Sequence, residues 1–183
     1  DMRRFRTALR SISVALVEDE IGTRERLVRA LGQTSRLCLA HAAGTAQELL
    51  DWLANNSVDV LLVDLGLPDG SGLDVIRHAV RLHPACEPLV ISMFGDEDNV
   101  LASIEAGALG YIHKDSTPDD IASAILEMKS GASPISPMIA RRVLSKYLSL
   151  RDARGAAVVA AAAPPPEPAA SGLAARPLLS TRE

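Results

Sequence analysis

The sequence predicts an α/β fold, a parallel sheet covered by helices on both faces. Three observations predict it. Five short runs rich in Val, Ile and Leu recur between residues 11 and 132, each followed by a stretch of helical period. The runs are continuously apolar rather than alternating, as strands buried on both faces must be. Strands that alternate with helices in this way are joined by right-handed crossovers, which leaves few topologies.

The elements follow in order. "ISVALVED" (Ile12 to Asp19) reads as a buried strand ending in acids, and "EIGTRERLVRALGQ" as a helix with Ile21, Leu27, Val28 and Leu31 on its apolar face. "RLCLAHAA" is a second strand, followed by "TAQELLDWLANN", a helix capped by Thr45. "VDVLLVD" is a third strand, with a helix from about Gly72 to Leu82. "PLVISMF" is a fourth, with a helix from about Asp98 to Ala106, and "GYIHK" a fifth. "TPDDIASAILEMKSG" has Thr117 as N-cap, Pro118 in the first turn, two acids after it and Gly131 as its stop.

Composition sets the limits. The chain has 183 residues, 48% of them hydrophobic and 23% charged, with a net charge of -4. That is core enough for one domain with appendages, and the acidic balance gives no overall attraction to nucleic acid or an anionic membrane. Aromatics make up only 3%, so the core has to be built from Val, Leu, Ile and Ala. Cys38 and Cys86 form neither a disulfide framework nor a metal cluster, which suits a reduced, cytoplasmic protein. No segment is long and apolar enough to predict a membrane span or a membrane partner.

Outside residues 11–132 the organisation changes. Residues 1–10 read as a basic, solvated extension. Within 133–150, Met138, Ile139, Val143, Tyr147 and Leu148 predict an amphipathic helix over 137–150, with Arg141, Arg142 and Lys146 on its solvated side. Residues 151–176 are Ala/Pro-rich and predict a linker, stiffened by Pro164 to Pro166. The last stretch, "LLSTRE", has the spacing of a capping box, with Ser180 and Glu183 behind two leucines.

In such a sheet, chemistry gathers beyond the carboxyl ends of the strands. There the sequence places Glu18 and Asp19 after the first strand, Asp64 after the third, Ser92 near the end of the fourth and Lys114 after the fifth. Each alone has an ordinary reading: a helix cap, a loop acid, a strand-end hydroxyl, a surface lysine. Together they bring three carboxylates, a hydroxyl and an ammonium to one edge. Crowded carboxylates repel, and a hard divalent cation relieves that cost. Mg²⁺ commonly takes one or two carboxylates and keeps positions for water and phosphate.

With these residues in view, "VALVEDE", "VLLVDLGLPDGSGLDVI", "VISMF" and "GALGYIHKD" resemble the signature segments of a response-regulator receiver domain over roughly Ser11 to Gly131. The following "TPDDIASAILEMKSGASPISPMIARRVL" is most similar to the LuxR/NarL subfamily of two-component regulators. The resemblance implies a flavodoxin-like (βα)5 sheet of order 2-1-3-4-5. It implies Asp64 as phosphate acceptor and Lys114 as its lysine. It implies Mg²⁺ held by Glu18, Asp19, Asp64 and the Gly66 carbonyl. Ser92 would be the switch hydroxyl, and Tyr111 an aromatic that turns inward on phosphorylation. Pro68 would fix a turn angle after the acceptor, while Gly70 and Gly72 permit angles other residues resist. Phe94 is expected to influence how long the phosphoryl group lasts.

The implied partners are a sensor histidine kinase, a second copy of the chain in a homodimer, and DNA through an output domain. Residues 177–183 would be the start of that helix-turn-helix domain. The dimer interface stays open between the first and fifth helices and the switch face. The chain would be no enzyme, beyond promoting its own phosphorylation and dephosphorylation. Three departures from the family pattern stand out: Glu18 for the usual Asp, Ser92 for the commoner Thr, and Asp115 where many receivers have Pro.

Other readings fit less well. A haloacid-dehalogenase-type enzyme needs a second Asp two residues after the acceptor, and position 66 is Gly. A nucleotide-binding domain needs a Gly-rich loop after the first strand, which contains only Gly22. A stand-alone receiver that docks on proteins without DNA, and a receiver that is never phosphorylated, keep the same fold.

Overall fold

A computed structural model describes residues 10–93 and 99–162. The chain divides into two compact units, residues 1–146 and 147–183. The first unit begins with β1 (Ile12–Val17), α1 (Ile21–Leu31), β2 (Leu37–Ala43), α2 (Ala46–Leu53) and β3 (Val60–Asp64). A two-residue-per-strand hairpin follows, β4 (Gly66–Leu67) against β5 (Gly70–Ser71). Then come α3 (Gly72–Leu82), β6 (Glu87–Ser92), α4 (Val100–Ala106), β7 (Gly110–His113) and α5 (Pro118–Lys129).

The five long strands form one parallel sheet in the order β2-β1-β3-β6-β7. This is the predicted 2-1-3-4-5, once the small hairpin is set aside. Alternate strand residues point to opposite faces, and the core accordingly forms two clusters. Val14, Leu16, Leu62 and Ile91 pack with Leu27 and Leu31 of α1 and Ile121 and Ile125 of α5. Ala15, Val17, Leu61, Val63 and Val90 pack on the other face with residues of α2, α3 and α4. Every residue of β3 is buried, which puts Asp64 at the end of the most enclosed strand.

Local signals explain several boundaries. Thr45 accepts a hydrogen bond from the Glu48 N–H and opens α2, and Thr117 does the same from Asp120 at α5. Gly131, at φ +100°, follows α5 in the left-handed region where glycine is favoured. Ile21 departs from expectation: it is 63% exposed rather than part of the core face. The helix begins at that residue, after the N-cap Glu20, and its buried side is made by Leu27, Ala30 and Leu31.

Asp59 locks the start of β1 to the start of β3. Its carboxylate accepts from the Ser13 N–H (2.9 Å) and hydroxyl (2.8 Å), while its own N–H donates to the Ser13 hydroxyl (3.0 Å). Burial opposes its charge, but the Ser13 hydrogen bonds prevail and hold its pKa below the ordinary value. This stabilisation is fully present above the unfolded Asp value near 3.8 and is lost as pH falls through the folded value. Asp59→Asn is expected to cost about 1 kcal/mol at neutral pH, allowing for solvent screening. In denaturant titrations across pH, that deficit should close on acidification; a constant deficit would contradict the assignment.

The C-terminal helix needs a correction. The predicted 137–150 helix is α6, Pro137–Ala162, and it takes in the first part of the predicted 151–176 linker. Alanine has the highest helix propensity, so the Ala-rich stretch extends the helix instead of ending it. The predicted apolar face is only partly covered: Ile139 is buried and Val143 half-buried, whereas Met138, Tyr147 and Leu148 are exposed. Arg141, Arg142 and Lys146 are exposed, as expected. The 1–9 extension, Pro164 to Pro166 and the 177–183 segment lie outside the described residues. Among the described residues, no helix is long and apolar enough to cross a membrane.

Candidate functional site

β1, β3, β6 and β7 end at the same edge, and the predicted residues meet there. Carboxylate oxygens of Glu18, Asp19 and Asp64 all lie within 4.8 Å of one another. Lys114, one residue past β7, reaches across with Nζ 2.8 Å from Glu18 Oε2 and 3.0 Å from Asp64 Oδ2. Glu18 is fully buried and Asp64 is 5% exposed, whereas Asp19 is exposed. The cluster therefore has two enclosed acids, one acid open to solvent, and a lysine pinned between the enclosed pair.

The electrostatics follow from this geometry. Burial pushes the Glu18 carboxyl above its ordinary value, opposed by its hydrogen bond to Lys114 and reinforced by the nearby Asp64 charge. For Lys114, burial opposes the charge, yet its bonds to Glu18 and Asp64 outweigh that and raise its pKa. One ammonium against three carboxylates leaves two negative charges uncompensated, which suits a divalent cation. The oxygen-only donor set also suits a hard ion such as Mg²⁺.

The hairpin shapes the approach to Asp64. The Gly66 N–H donates to Asp64 Oδ1 (3.3 Å). At the hairpin turn, Asp69 accepts from the backbone N–H groups of Ala46 (2.8 Å) and Gln47 (2.9 Å), and those bonds hold its carboxyl below the ordinary range. The hairpin is thus tied to the N-terminus of α2, which favours a negative charge. The predicted backbone angles at Gly70 and Gly72 need correcting, because neither has positive φ; among the described glycines, Gly107 and Gly131 do. Gly72 is required by proximity: a Cβ there would lie 2.2 Å from the Asp64 carbonyl oxygen and 2.7 Å from Leu65 Cα.

Ser92 and Tyr111 are paired beside this cluster. The Tyr111 hydroxyl donates to Ser92 Oγ at 2.8 Å, and Ser92 Oγ donates to the Met93 carbonyl at 3.2 Å. Tyr111, expected to turn inward on phosphorylation, is inward and 4% exposed. Its apolar cluster includes Ala106, Ala108 and Ile139, and its backbone N–H donates to the Pro134 carbonyl (3.0 Å) beside a bridge to Ile135. Ring burial and the Ser92 hydrogen bond together hold the ring in the inward position. A cavity of about 780 Å³ lies between β7, α5 and residues 134–139, lined by Tyr111 but by none of the three acids. Phe94 lies outside the described residues.

Two arginines of α1 add to the site and were not among the predicted residues. Arg24 Nη1 donates to the carbonyls of Glu18 (2.7 Å) and Asp19 (3.2 Å). Arg26 donates through Nη2 to the Lys114 carbonyl and through Nη1 to that of Ser116 (3.4 Å). In sequence they look like the solvated side of an amphipathic helix. A bond from residue 26 to residue 114 leaves no local signal.

The fold, the strand order and an acid triad closed by one lysine define a receiver domain. Residues 14–126 match the family model for the response regulator receiver domain, and the chain belongs to that family. It is similar to the DNA-binding transcriptional activator DevR/DosR of Mycobacterium tuberculosis, 30% identical over 74% of this chain and 62% of that protein. It is also similar to the response regulator UvrY of Escherichia coli K12, 27% identical over 72% of this chain and 61% of that protein. The chain thus spans about three fifths of the length of these curated relatives. Among solved structures, a LuxR-family two-component response regulator from Aurantimonas aligns with TM-score 0.68 and 27% identity. That match covers 75% of this chain and 99% of the other. The receiver domain of the response regulator NarL from M. tuberculosis aligns with TM-score 0.61 and 29% identity, covering 66% and 98%. The relatives are LuxR/NarL-type response regulators, as the sequence resemblance implied.

Proposed function

We propose that this chain is the phosphoacceptor part of a two-component transcriptional regulator, with Asp64 the residue that takes the phosphoryl group. The observation that carries this reading is the position of Asp64: at the end of β3, 3.0 Å from Lys114 and grouped with Glu18 and Asp19. A carboxylate oxygen of Asp64 attacks the phosphorus of a donor, a phosphohistidine on a sensor kinase or a small acyl phosphate. The new O–P bond forms as the bond to the leaving group breaks, and the leaving group takes the electron pair. Little covalent assistance is needed, because positioning and charge stabilisation dominate phosphoryl transfer.

Lys114 holds Asp64 in place and meets the charge that shifts onto the phosphoryl oxygens. Glu18, Asp19, Asp64 and the Gly66 carbonyl would hold Mg²⁺. When bound, this ion neutralises phosphoryl charge and helps orient the group. Ser92 then exchanges its bond to the Met93 carbonyl for one to a phosphoryl oxygen. Tyr111, bonded to Ser92, passes that change to the β7 edge and to residues 134–135. Phosphorylation favours the active state only by the difference in its interactions with the two states.

The kinase partner, homodimerisation, DNA binding by an output domain and a cytoplasmic setting belong to the same proposal. They are supported by the LuxR/NarL-type relatives, one of which is described as a DNA-binding transcriptional activator. Beryllofluoride, a phosphoryl mimic, provides a direct test. With Mg²⁺ at saturation it should raise the melting temperature of the protein, by an amount equivalent to about 2.7 kcal/mol at a hundredfold excess over Kd. The rise should require both components and be absent in Asp64→Asn. An equal rise in that variant would refute Asp64 as the acceptor.

A further inference from the structure

We infer that Arg24 and Arg26 are a divided pair of positioning residues, Arg24 setting the acid loop after β1 and Arg26 the lysine loop after β7. The inference rests on the reading of Asp64 as phosphoacceptor. Successive helical residues are about 100° apart, so side chains two positions apart diverge to opposite flanks of α1. The contacts agree: Arg24 lies against Gly44 after β2, where an added Cβ would be 3.1 Å from its Nη1, whereas Arg26 reaches toward α5. Exposed Glu25 lies between them.

The carbonyls they hold are specific. β1 ends at Val17 and β7 at His113, so Glu18 and Lys114 are the first residues past their strands. Their N–H groups are still tied to neighbouring strands, Glu18 to the Ala43 carbonyl and Lys114 to that of Ser92. Their carbonyls turn instead to the arginines. Each held peptide thus carries one partner of the ion pair that crosses the site, Glu18 to Lys114 at 2.8 Å. Guanidinium donors make charge-assisted bonds from a rigid plane, so both loops are fixed relative to one helix. The start of that helix is fixed in turn by the Glu20 cap, directly after Asp19.

The division of labour makes the inference testable. Arg24 acts on the loop of two metal-binding acids. Arg24→Ala should weaken Mg²⁺ binding to the unphosphorylated protein about tenfold, measured by calorimetry. Arg26 acts on the lysine. Arg26→Ala should leave Mg²⁺ affinity within about twofold and slow acetyl-phosphate labelling at saturating Mg²⁺ about tenfold. Arg26→Lys should share the labelling defect, because one ammonium does not reproduce two guanidinium nitrogens on two carbonyls. Arg24→Lys should retain Mg²⁺ affinity, because Arg24 uses a single nitrogen. These lysine variants preserve the test where an alanine variant fails to fold. Equal losses in both readouts for both arginines, no loss in either, or the reverse pairing would overturn the inference. Labelling of wild type and Asp64→Asn runs alongside. Failure of wild type to label on Asp64 refutes the functional reading, whereas wild-type behaviour of the arginine variants refutes only this one.

Discussion

Gly72→Ala should destabilise the protein by about 3 kcal/mol, the upper range for forcing an atom into filled space. The Cβ would sit 2.2 Å from the Asp64 carbonyl oxygen and 3.0 Å from its carbonyl carbon. Both obstacles are backbone, so no rotamer change relieves them. The Gly72 N–H also donates to the Leu65 carbonyl (3.2 Å), so moving α3 away breaks a contact that closes the hairpin. Relaxation has to displace Asp64 itself, so phosphoryl acceptance should fall along with stability. Gly70→Ala is the control. Its Cβ would meet only Ala46 Cβ at 3.7 Å, an ordinary contact, and its effect should stay under about 1 kcal/mol. Denaturant unfolding of both variants checks the pair. Similar stabilities would show that close approach is not what requires glycine at 72.

Lys114→Met should reduce phosphoryl acceptance at least about a hundredfold, the usual consequence of losing a preorganised positive partner at a reacting group. It should also cost the metal-free protein about 3 kcal/mol, the low end for breaking a buried ion pair, since the lysine side chain is still 13% exposed. The deficit should depend on pH. Burial already holds the Glu18 carboxyl above its ordinary 4.5, and loss of Lys114 removes the bond that opposes this shift. A carboxyl whose folded pKa is raised destabilises the protein above that pKa and contributes nothing below its unfolded value. The variant should therefore regain stability as pH falls from the folded Glu18 value toward 4.5. Unfolding free energies measured across that range check the sign; a deficit that grows on acidification would contradict it.

Much of this architecture was legible in the sequence because the signals were local or periodic. Continuous apolar runs identified β1, β3 and β6 as buried strands, and Thr45, Thr117 and Gly131 marked helix boundaries by side-chain or backbone chemistry. Placing Glu18, Asp64 and Lys114 together required only the rule that parallel strands end at one edge. What was not legible depended on tertiary distances. Gly72 reads as a turn glycine until the Asp64 carbonyl is seen beside it. Arg24 and Arg26 read as solvated charges until their carbonyl partners come into place. The bond from Tyr111 to Ser92 and its packing with Ile139 join separate elements, which no local pattern shows. The overlong α6 has a different cause: the Ala-rich composition that suggested a linker is also strongly helix-forming.

The central claim is that Asp64 receives the phosphoryl group in a site completed by divalent metal. The most direct measurement is peptide mapping by mass spectrometry after incubation with acetyl phosphate and Mg²⁺. A single phosphoryl group on Asp64, lost with EDTA and absent in Asp64→Asn, is the predicted result. Equal labelling of wild type and Asp64→Asn, or a label on a peptide without Asp64, would contradict it.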